Sequence, residues 1–222
     1  MKNLTLIIPA RKEKESLPQV IDEINNLDCK KKVILSPDDI DTINAIKNLN
    51  VDIIYQNDHG YGDALITGIN NVDTDYFCIF NADGSFNPSE IKNMINKIEE
   101  FNYDFIFASR YEKNSSSEDD TFLTLTGNKI FTFIGRFFFK LDISDILYTF
   151  VLGKTSKALQ LNLSQNDFKF CVELPIKAKR NKMKLGTINS HERKRIAGKK
   201  KVNEFRDGLT ILIYLVKLYI KK

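Results

Sequence analysis

Apolar positions along the chain follow two rhythms. Short unbroken apolar runs alternate with stretches where an apolar side chain returns every third or fourth position. Residues 4–8, 33–35, 51–55, 76–80 and 105–108 are predicted strands, and helices are predicted between them over 13–27, 39–49, 62–70 and 88–101. The first helix carries Leu17, Val20, Ile21, Ile24 and Leu27 on one face. The last has Pro88 near its start, where a missing N–H costs nothing. Strands alternating with helices at this pace predict an α/β fold with a largely parallel sheet.

After Arg110 the rhythm changes. Residues 111–121, "YEKNSSSEDDT", are polar throughout and predict a mobile loop. A Phe-rich helix is expected over 122–141, then a strand or loop near 143–152 and helical pieces around 156–161 and 168–180. A strand near 184–188, a basic loop and an apolar helix over 205–220, ending in Lys221 and Lys222, complete the chain.

With 222 residues, 42% hydrophobic and 28% charged, the chain suits one large domain or a domain with a tail, and disorder throughout is excluded. The net charge of +4 hides an asymmetry. Between Lys177 and Lys201 stand eleven Lys and Arg against the single acid Glu192, a local +10 that leaves −6 for the remainder. Such a segment is either a solvated surface or the seat of an anionic partner. No zinc-finger spacing or aromatic RNA-binding motif accompanies it, so nucleic acid is not expected. Cys29, Cys78 and Cys171 are far apart and form no metal spacing, which fits a reducing compartment. The first residues lack a signal-peptide pattern, and no eighteen-residue window is continuously apolar. A cytoplasmic protein is expected.

Ligands of open parallel sheets collect beyond the carboxyl ends of the strands. Four polar clusters fall there: Pro9-Ala10-Arg11-Lys12-Glu13, Ser36-Pro37-Asp38-Asp39, Asn81-Ala82-Asp83 and Ser109-Arg110. Four in register favour a nucleotide-sized ligand. Asp83 could ligate Mg2+ or Mn2+ with help from the Asn81 amide, or both residues could simply cap a turn. Gly60-x-Gly62 is no dinucleotide fingerprint, because Leu65 stands where a third glycine belongs and the motif follows the third strand. The glycines instead predict a tight turn that starts a helix beside the ligand. There is no phosphate-binding P-loop and no Ser-His-Asp order, and the isolated His59 and His191 are not assigned to catalysis. Paired carboxylates for glycoside hydrolysis remain open, since their separation is spatial.

In order, "IIPARKEKESL", "GYGDALITGI", "FNADGSFNPSEI", "FASRY", "ISDILYTFVLGKTS" and "HERKRIAGKKKV" resemble the motifs of family 2 glycosyltransferases of the GT-A fold. The nearest branch is the dolichol-phosphate mannosyltransferase-like one. The resemblance runs from residue 4 to about 202. It implies a Rossmann-like, mostly parallel sheet flanked by helices, with a C-terminal acceptor-side extension. Residues 1–110 would form the nucleotide-sugar half, 111–204 the acceptor half and 205–222 an apolar C-terminal helix. It implies that Pro9, Ala10, Arg11 and Glu13 line the nucleotide, with Asp38 or Asp39 for the usual strand-two Asp and Asn81, Ala82 and Asp83 beside the diphosphate. Asp83, Asp145 and Arg110 would be catalytic, with Asp145 a base if the acceptor is a hydroxyl. Arg110, Arg193, Arg195 and Lys201 would face phosphates of donor or acceptor.

The activity so implied is inverting transfer of one sugar from a UDP- or GDP-sugar to a polyprenyl phosphate or a membrane-associated glycan, aided by Mg2+ or Mn2+. Peripheral contact at the inner face of a membrane would use 130–141 and 205–220, although packing on the sheet is the commoner fate of an apolar helix inside a domain. The pattern also departs from the family's. Asn81 replaces a carboxylate, the strand-two acids are displaced, and Asp63 stands where a small residue is usual. A degenerate nucleotide- or glycan-binding relative is therefore the alternative. A nucleotidyltransferase lacks its glycine-rich entry after strand one. Trp is absent, which removes the motif of processive synthases and leaves single-sugar transfer.

Overall fold

A computed structural model describes residues 2–198 and 200–221. Its centre is a seven-stranded sheet of order β3-β2-β1-β4-β7-β5-β8. The strands are β1 (Leu4–Ala10), β2 (Lys30–Leu35), β3 (Asp52–Tyr55), β4 (Tyr76–Ile79), β5 (Phe105–Ser109), β7 (Val151–Lys154) and β8 (Leu185–Asn189). β7 is antiparallel to β4 and β5, and every other pairing in the sheet is parallel. This is the expected GT-A-type, Rossmann-like α/β architecture.

Helices cover both faces, which is why the central strands β1 and β5 are buried along their whole length rather than at alternate residues. Leu4, Leu6 and Ile8 of β1 face one core with α1 (Leu17–Glu23), α2 (Ile40–Ile46) and α4 (Glu90–Glu100). Ile7 faces the other core with α3 (Tyr61–Asn70), α6 (Thr155–Gln160), α7 (Phe170–Arg180) and α8 (Glu204–Ile220). Phe80, Phe86 and Phe150 form an aromatic cluster beneath the site, with Phe86 stacked on Phe150 at 4.6 Å. From β1 the strands proceed outward through β2 and β3 on one side and through β4 on the other. Their carboxyl ends part at β1 and β4, the switch point where a cleft opens.

Three expectations are corrected or refined. The first helix is shorter than 13–27, because Pro18 lies at its start and the chain before it turns so that the Ser16 hydroxyl donates to the Glu13 carboxylate. Of the strand or loop expected near 143–152, residues 143–150 are loop and the strand is Val151–Lys154. The polar stretch 111–121 is tied down: β6 (Ser116–Ser117) pairs in parallel with β9 (His191–Glu192). Beyond it α5 (Phe122–Phe139) starts with a capping box between Thr121 and Thr124 and ends at Lys140 in the left-handed conformation.

Candidate active site

A cavity of about 450 Å³ lies over the carboxyl ends of β1, β2 and β4, within the range of small-molecule sites. Its floor is Pro9, Ala10, Arg11, Ser36 and Asn81-Ala82-Asp83. Its far wall is the seam between α5 and α8, where Gly127, Phe131, Gly208 and Ile211 line it. A side chain at Gly127 would meet nothing within 4 Å, so the seam is open there.

At the β4 end the Asp83 carboxylate is fixed by its own turn. Its Oδ1 accepts from the Ser85 backbone N at 3.0 Å and from Ser85 Oγ at 2.7 Å. Gly84 between them has φ +83°, a left-handed value that glycine adopts freely, and a Cβ there would stand 2.5 Å from the Ile196 side chain. The missing side chain lets residues 193–196 lie directly on this turn. Arg193 N donates to Ser85 O and Ile196 N to Asp83 O, both at 2.8 Å. Arg195 is thereby held over the carboxylate, with Nη1 3.4 Å from Asp83 Oδ2.

Asp119 faces Arg195 from the polar loop. It accepts from Arg195 Nη2 at 2.7 Å and from Nε at 3.3 Å, and Lys200 Nζ donates to its backbone oxygen at 2.7 Å. Partial burial alone would raise the Asp119 pKa, but these two cations hold it below its ordinary value. Arg195 is correspondingly raised, first by the Asp119 hydrogen bond. Lys201 Nζ sits 3.0 Å from Glu13 Oε1. Asn81 Oδ1 accepts from Tyr61 OH at 3.3 Å, and burial raises the Tyr61 phenol well out of the working range.

Pro9, Ala10, Arg11, Glu13, Asn81, Ala82, Asp83, Arg110, Arg195 and Lys201 thus line one cavity. Others do not come to it in the expected way. Asp38 and Asp39 line a second groove with Lys12 and Lys14, which meets the cavity only at Glu13, because the chain turns outward after Ser36 and Asp39 takes the Lys12 backbone N–H. Arg193 points away, paired with Glu23 at 2.6 Å and donating to Phe86 O at 2.6 Å.

Arg110 touches the cavity but spends its guanidinium on carboxylates. Nε and Nη2 donate to Asp145 at 2.7 and 3.1 Å, and Nη1 reaches Glu192 at 3.3 Å and Asp120 at 3.5 Å. The plane lies over the Tyr148 ring at 4.4 Å. Burial opposes its charge, but Asp145 outweighs this and holds its pKa above the usual value. Asp145 is fully buried and accepts from Arg110 with both oxygens. That geometry corrects the expectation of Asp145 as a base and of Arg110 as a free phosphate ligand. The two tie β5 to the polar loop and β9.

Sequence reasoning missed Asp119, Asp120, Glu192 and Lys200. The signal was present: the acidic "SEDD" run had no local partner, and Lys194, Arg195 and Lys200 of the basic segment lie across from it. The expected tight turn before α3 does form at Gly60, with φ +113°. The close neighbours of the glycines are protein backbone. A Cβ at Gly60 would meet Asn166 O at 2.2 Å, and one at Gly62 would meet Gln165 O at 2.0 Å.

The donor set bears on the expected metal. Mg2+ and Mn2+ take several oxygen ligands. Here Asn81 and Asp83 do stand together, yet they bring one carboxylate, already facing a guanidinium, and one neutral amide. Among the described residues no group of three His, Cys, Asp or Glu side chains could hold a metal ion. The residues present are a poor match for a divalent ion.

The model of the family described as "Glycosyl transferase family 2" matches residues 5–160. No curated protein sequence matches the chain. Solved structures do. Glucosyl-3-phosphoglycerate synthase from Mycobacterium tuberculosis, in complex with Mn2+, UDP and glucosyl-3-phosphoglycerate, superposes with TM-score 0.78 at 12% identity, covering 98% of this chain and 80% of that one. The same enzyme with Mg2+ and UDP gives 0.73 at 13% identity, covering 97% and 79%. Mannosyl-3-phosphoglycerate synthase from Rubrobacter xylanophilus gives 0.76 at 14%, covering 99% and 74%. At these identities the likeness is one of fold.

Proposed function

The chain belongs to glycosyl transferase family 2, and we propose that it moves one sugar from a UDP- or GDP-sugar to a phosphate-bearing acceptor with an apolar tail, a polyprenyl phosphate, with inversion. The observation that carries this reading is the single cavity joining the strand ends to the apolar α5–α8 seam. Residues 1–110 would bind the donor, 111–204 the acceptor head while lending Arg195, Lys200 and Lys201 to the donor's diphosphate, and the α5–α8 pair the acceptor's tail.

Pro9, Ala10, Arg11 and Ser36 would take the base and ribose. Arg195, Lys200 and Lys201 would face the diphosphate. As an acceptor oxygen bonds to the anomeric carbon, the bond from that carbon to the diphosphate oxygen breaks, and its electron pair leaves on the diphosphate. Fixed cations at that oxygen stabilise the charge as it develops. A phosphate monoester, with a second pKa of about 6, is already anionic near neutrality and needs no base. This agrees with Asp145 being buried against Arg110. A hydroxyl acceptor would need a base, which Asp145 in this pairing cannot supply.

The outer faces of α5 and α8 bear Phe133, Phe137, Leu209, Ile213 and Val216, each about half exposed. Lys129, Arg136, Lys140 and Lys217 lie among them. Such a face suits the headgroup region of an anionic bilayer on the cytoplasmic side. Among the described residues no helix is long and apolar enough to cross a membrane. Lys222, expected at the headgroups, lies outside the described residues.

The test is sugar transfer from UDP- and GDP-sugars to a short-chain polyprenyl phosphate and, separately, to 3-phosphoglycerate, followed by release of the nucleoside diphosphate. Turnover with the lipid is expected. Turnover with phosphoglycerate alone would refute the apolar acceptor. Donor binding without turnover on any acceptor would favour the second reading, a degenerate binding relative, for which Asn81 and the Asp83–Arg195 pair speak.

A further inference from the structure

Three observations converge on Arg195. Its position is fixed by backbone, because the hydrogen bonds of Arg193 N to Ser85 O and Ile196 N to Asp83 O clamp residues 193–196 onto the 83–85 turn. Its Nη1 lies 3.4 Å from the outer oxygen of Asp83, where a divalent ion shared with a diphosphate would have to ligate. Its Nε and Nη2 are held by Asp119, which orients the planar group and leaves the Nη1 edge toward Asp83 and the cavity.

The donor set agrees. Asp83 Oδ1 is already filled by two Ser85 donors, and its neighbour on the strand end is the uncharged Asn81. Replacing a carboxylate by an amide removes one negative charge. Placing a guanidinium opposite the remaining carboxylate adds a positive one. Both changes weaken the attraction for a divalent cation and strengthen it for a diphosphate. Lys200 and Lys201 line the same cavity and carry further positive charge. A guanidinium also offers parallel N–H donors suited to phosphate oxygens, which a point charge does not.

We infer that Arg195 takes the place of the divalent ion, so that a nucleoside diphosphate binds this site without metal. The inference rests on the cavity being the donor site proposed above. Asp83 then acts as a positioning residue that holds Arg195 from one side while Asp119 holds it from the other.

Calorimetric titration of UDP and GDP into the full chain tests this, first in EDTA and then in excess Mn2+. Wild type, Arg195→Ala, Arg195→Lys and Asn81→Asp are compared, each checked for an unchanged thermal transition. One nucleotide should bind in EDTA, with little change when Mn2+ is added. Arg195→Ala should weaken that binding about ten- to a hundredfold, the range of a charge-assisted hydrogen bond. Arg195→Lys should recover part of it, and Asn81→Asp should make binding respond to Mn2+. Binding lost in EDTA, restored by Mn2+ and indifferent to Arg195→Ala would overturn the inference while leaving the transferase reading intact. No binding of either nucleotide by any of these folded proteins would overturn the donor site itself, and the inference with it.

Discussion

Arg110→Met separates a structural hub from a phosphate ligand. Methionine roughly keeps the volume of the stem and removes the guanidinium. Left behind are Asp145, fully buried, with Asp120 and Glu192, whose side chains are each 9% exposed. Four hydrogen bonds disappear, two of them the bidentate grip on Asp145. Breaking a buried pair by removing one partner costs about 3–5 kcal/mol, because the remaining charge stays desolvated. For a chain of this length, about 2–4 °C per kcal/mol gives a fall in Tm of about 6–20 °C. The deficit should also depend on pH. Burial already raises the Glu192 pKa against the pull of Arg110; without the cation it rises further, so the variant loses stability as pH rises through that raised value and recovers some toward acid. Urea unfolding of wild type and variant at acid and neutral pH measures both effects. A deficit below about 1 kcal/mol, or one independent of pH, would refute the hub. Normal stability with donor binding weakened tenfold would instead make Arg110 a phosphate ligand.

Further outcomes follow from single contacts. Gly62→Ala sets a Cβ 2.0 Å from Gln165 O and should cost about 1–3 kcal/mol in urea unfolding. Gly127→Ala lies inside α5 with open space around it and should stabilise by about 0.5–1 kcal/mol. Loss of stability there would mean the seam is closed in solution. The pKa of Asp119 is lowered from 3.8, so its clasp on Arg195 contributes fully above that pH and is lost as pH falls through the lowered value. The stability gap between wild type and Asp119→Asn should therefore be level near neutrality and close in acid. Phe133→Asp with Phe137→Asp breaks an exposed stacked pair and should abolish flotation with anionic vesicles at unchanged Tm. Flotation that persists removes the membrane face.

The first 110 residues were legible because they are made of local signals. β1, β4 and β5 are apolar runs, as is the 33–35 end of β2, and a continuous run needs no partner to be recognised. Asn81 and Asp83 could be placed at a strand end for the same reason. What failed depends on distant residues. Nothing local in "ISDILYTFVLGK" says that only Val151–Lys154 will insert antiparallel between β4 and β5. The polar loop read as mobile because its partners, His191 and Glu192, lie about seventy-five positions downstream. Asp145 read as a candidate base because burial and the Arg110 grip are tertiary facts. Asp38 read as a ligand because the outward turn after Ser36 leaves no mark in residue type.

The fit of Gly60 and Gly62 against residues 165–166 has a consequence for how the chain reaches its fold. The first turn of α3 gives the Asp63 backbone N–H to Asn166 O at 3.0 Å, across about a hundred positions of sequence. The segment 164–165 is itself pinned by the buried Glu173 carboxylate, which accepts from the backbone N–H groups of Ser164 and Gln165. An early helix thus waits for a late segment to complete its N-terminus, and such long-range closure slows folding. In a pulse-labelling hydrogen-exchange experiment, the amide of Asp63 should gain protection with α7 and after the strands on either side of α3. During synthesis that amide would stay open until α7 had left the ribosome.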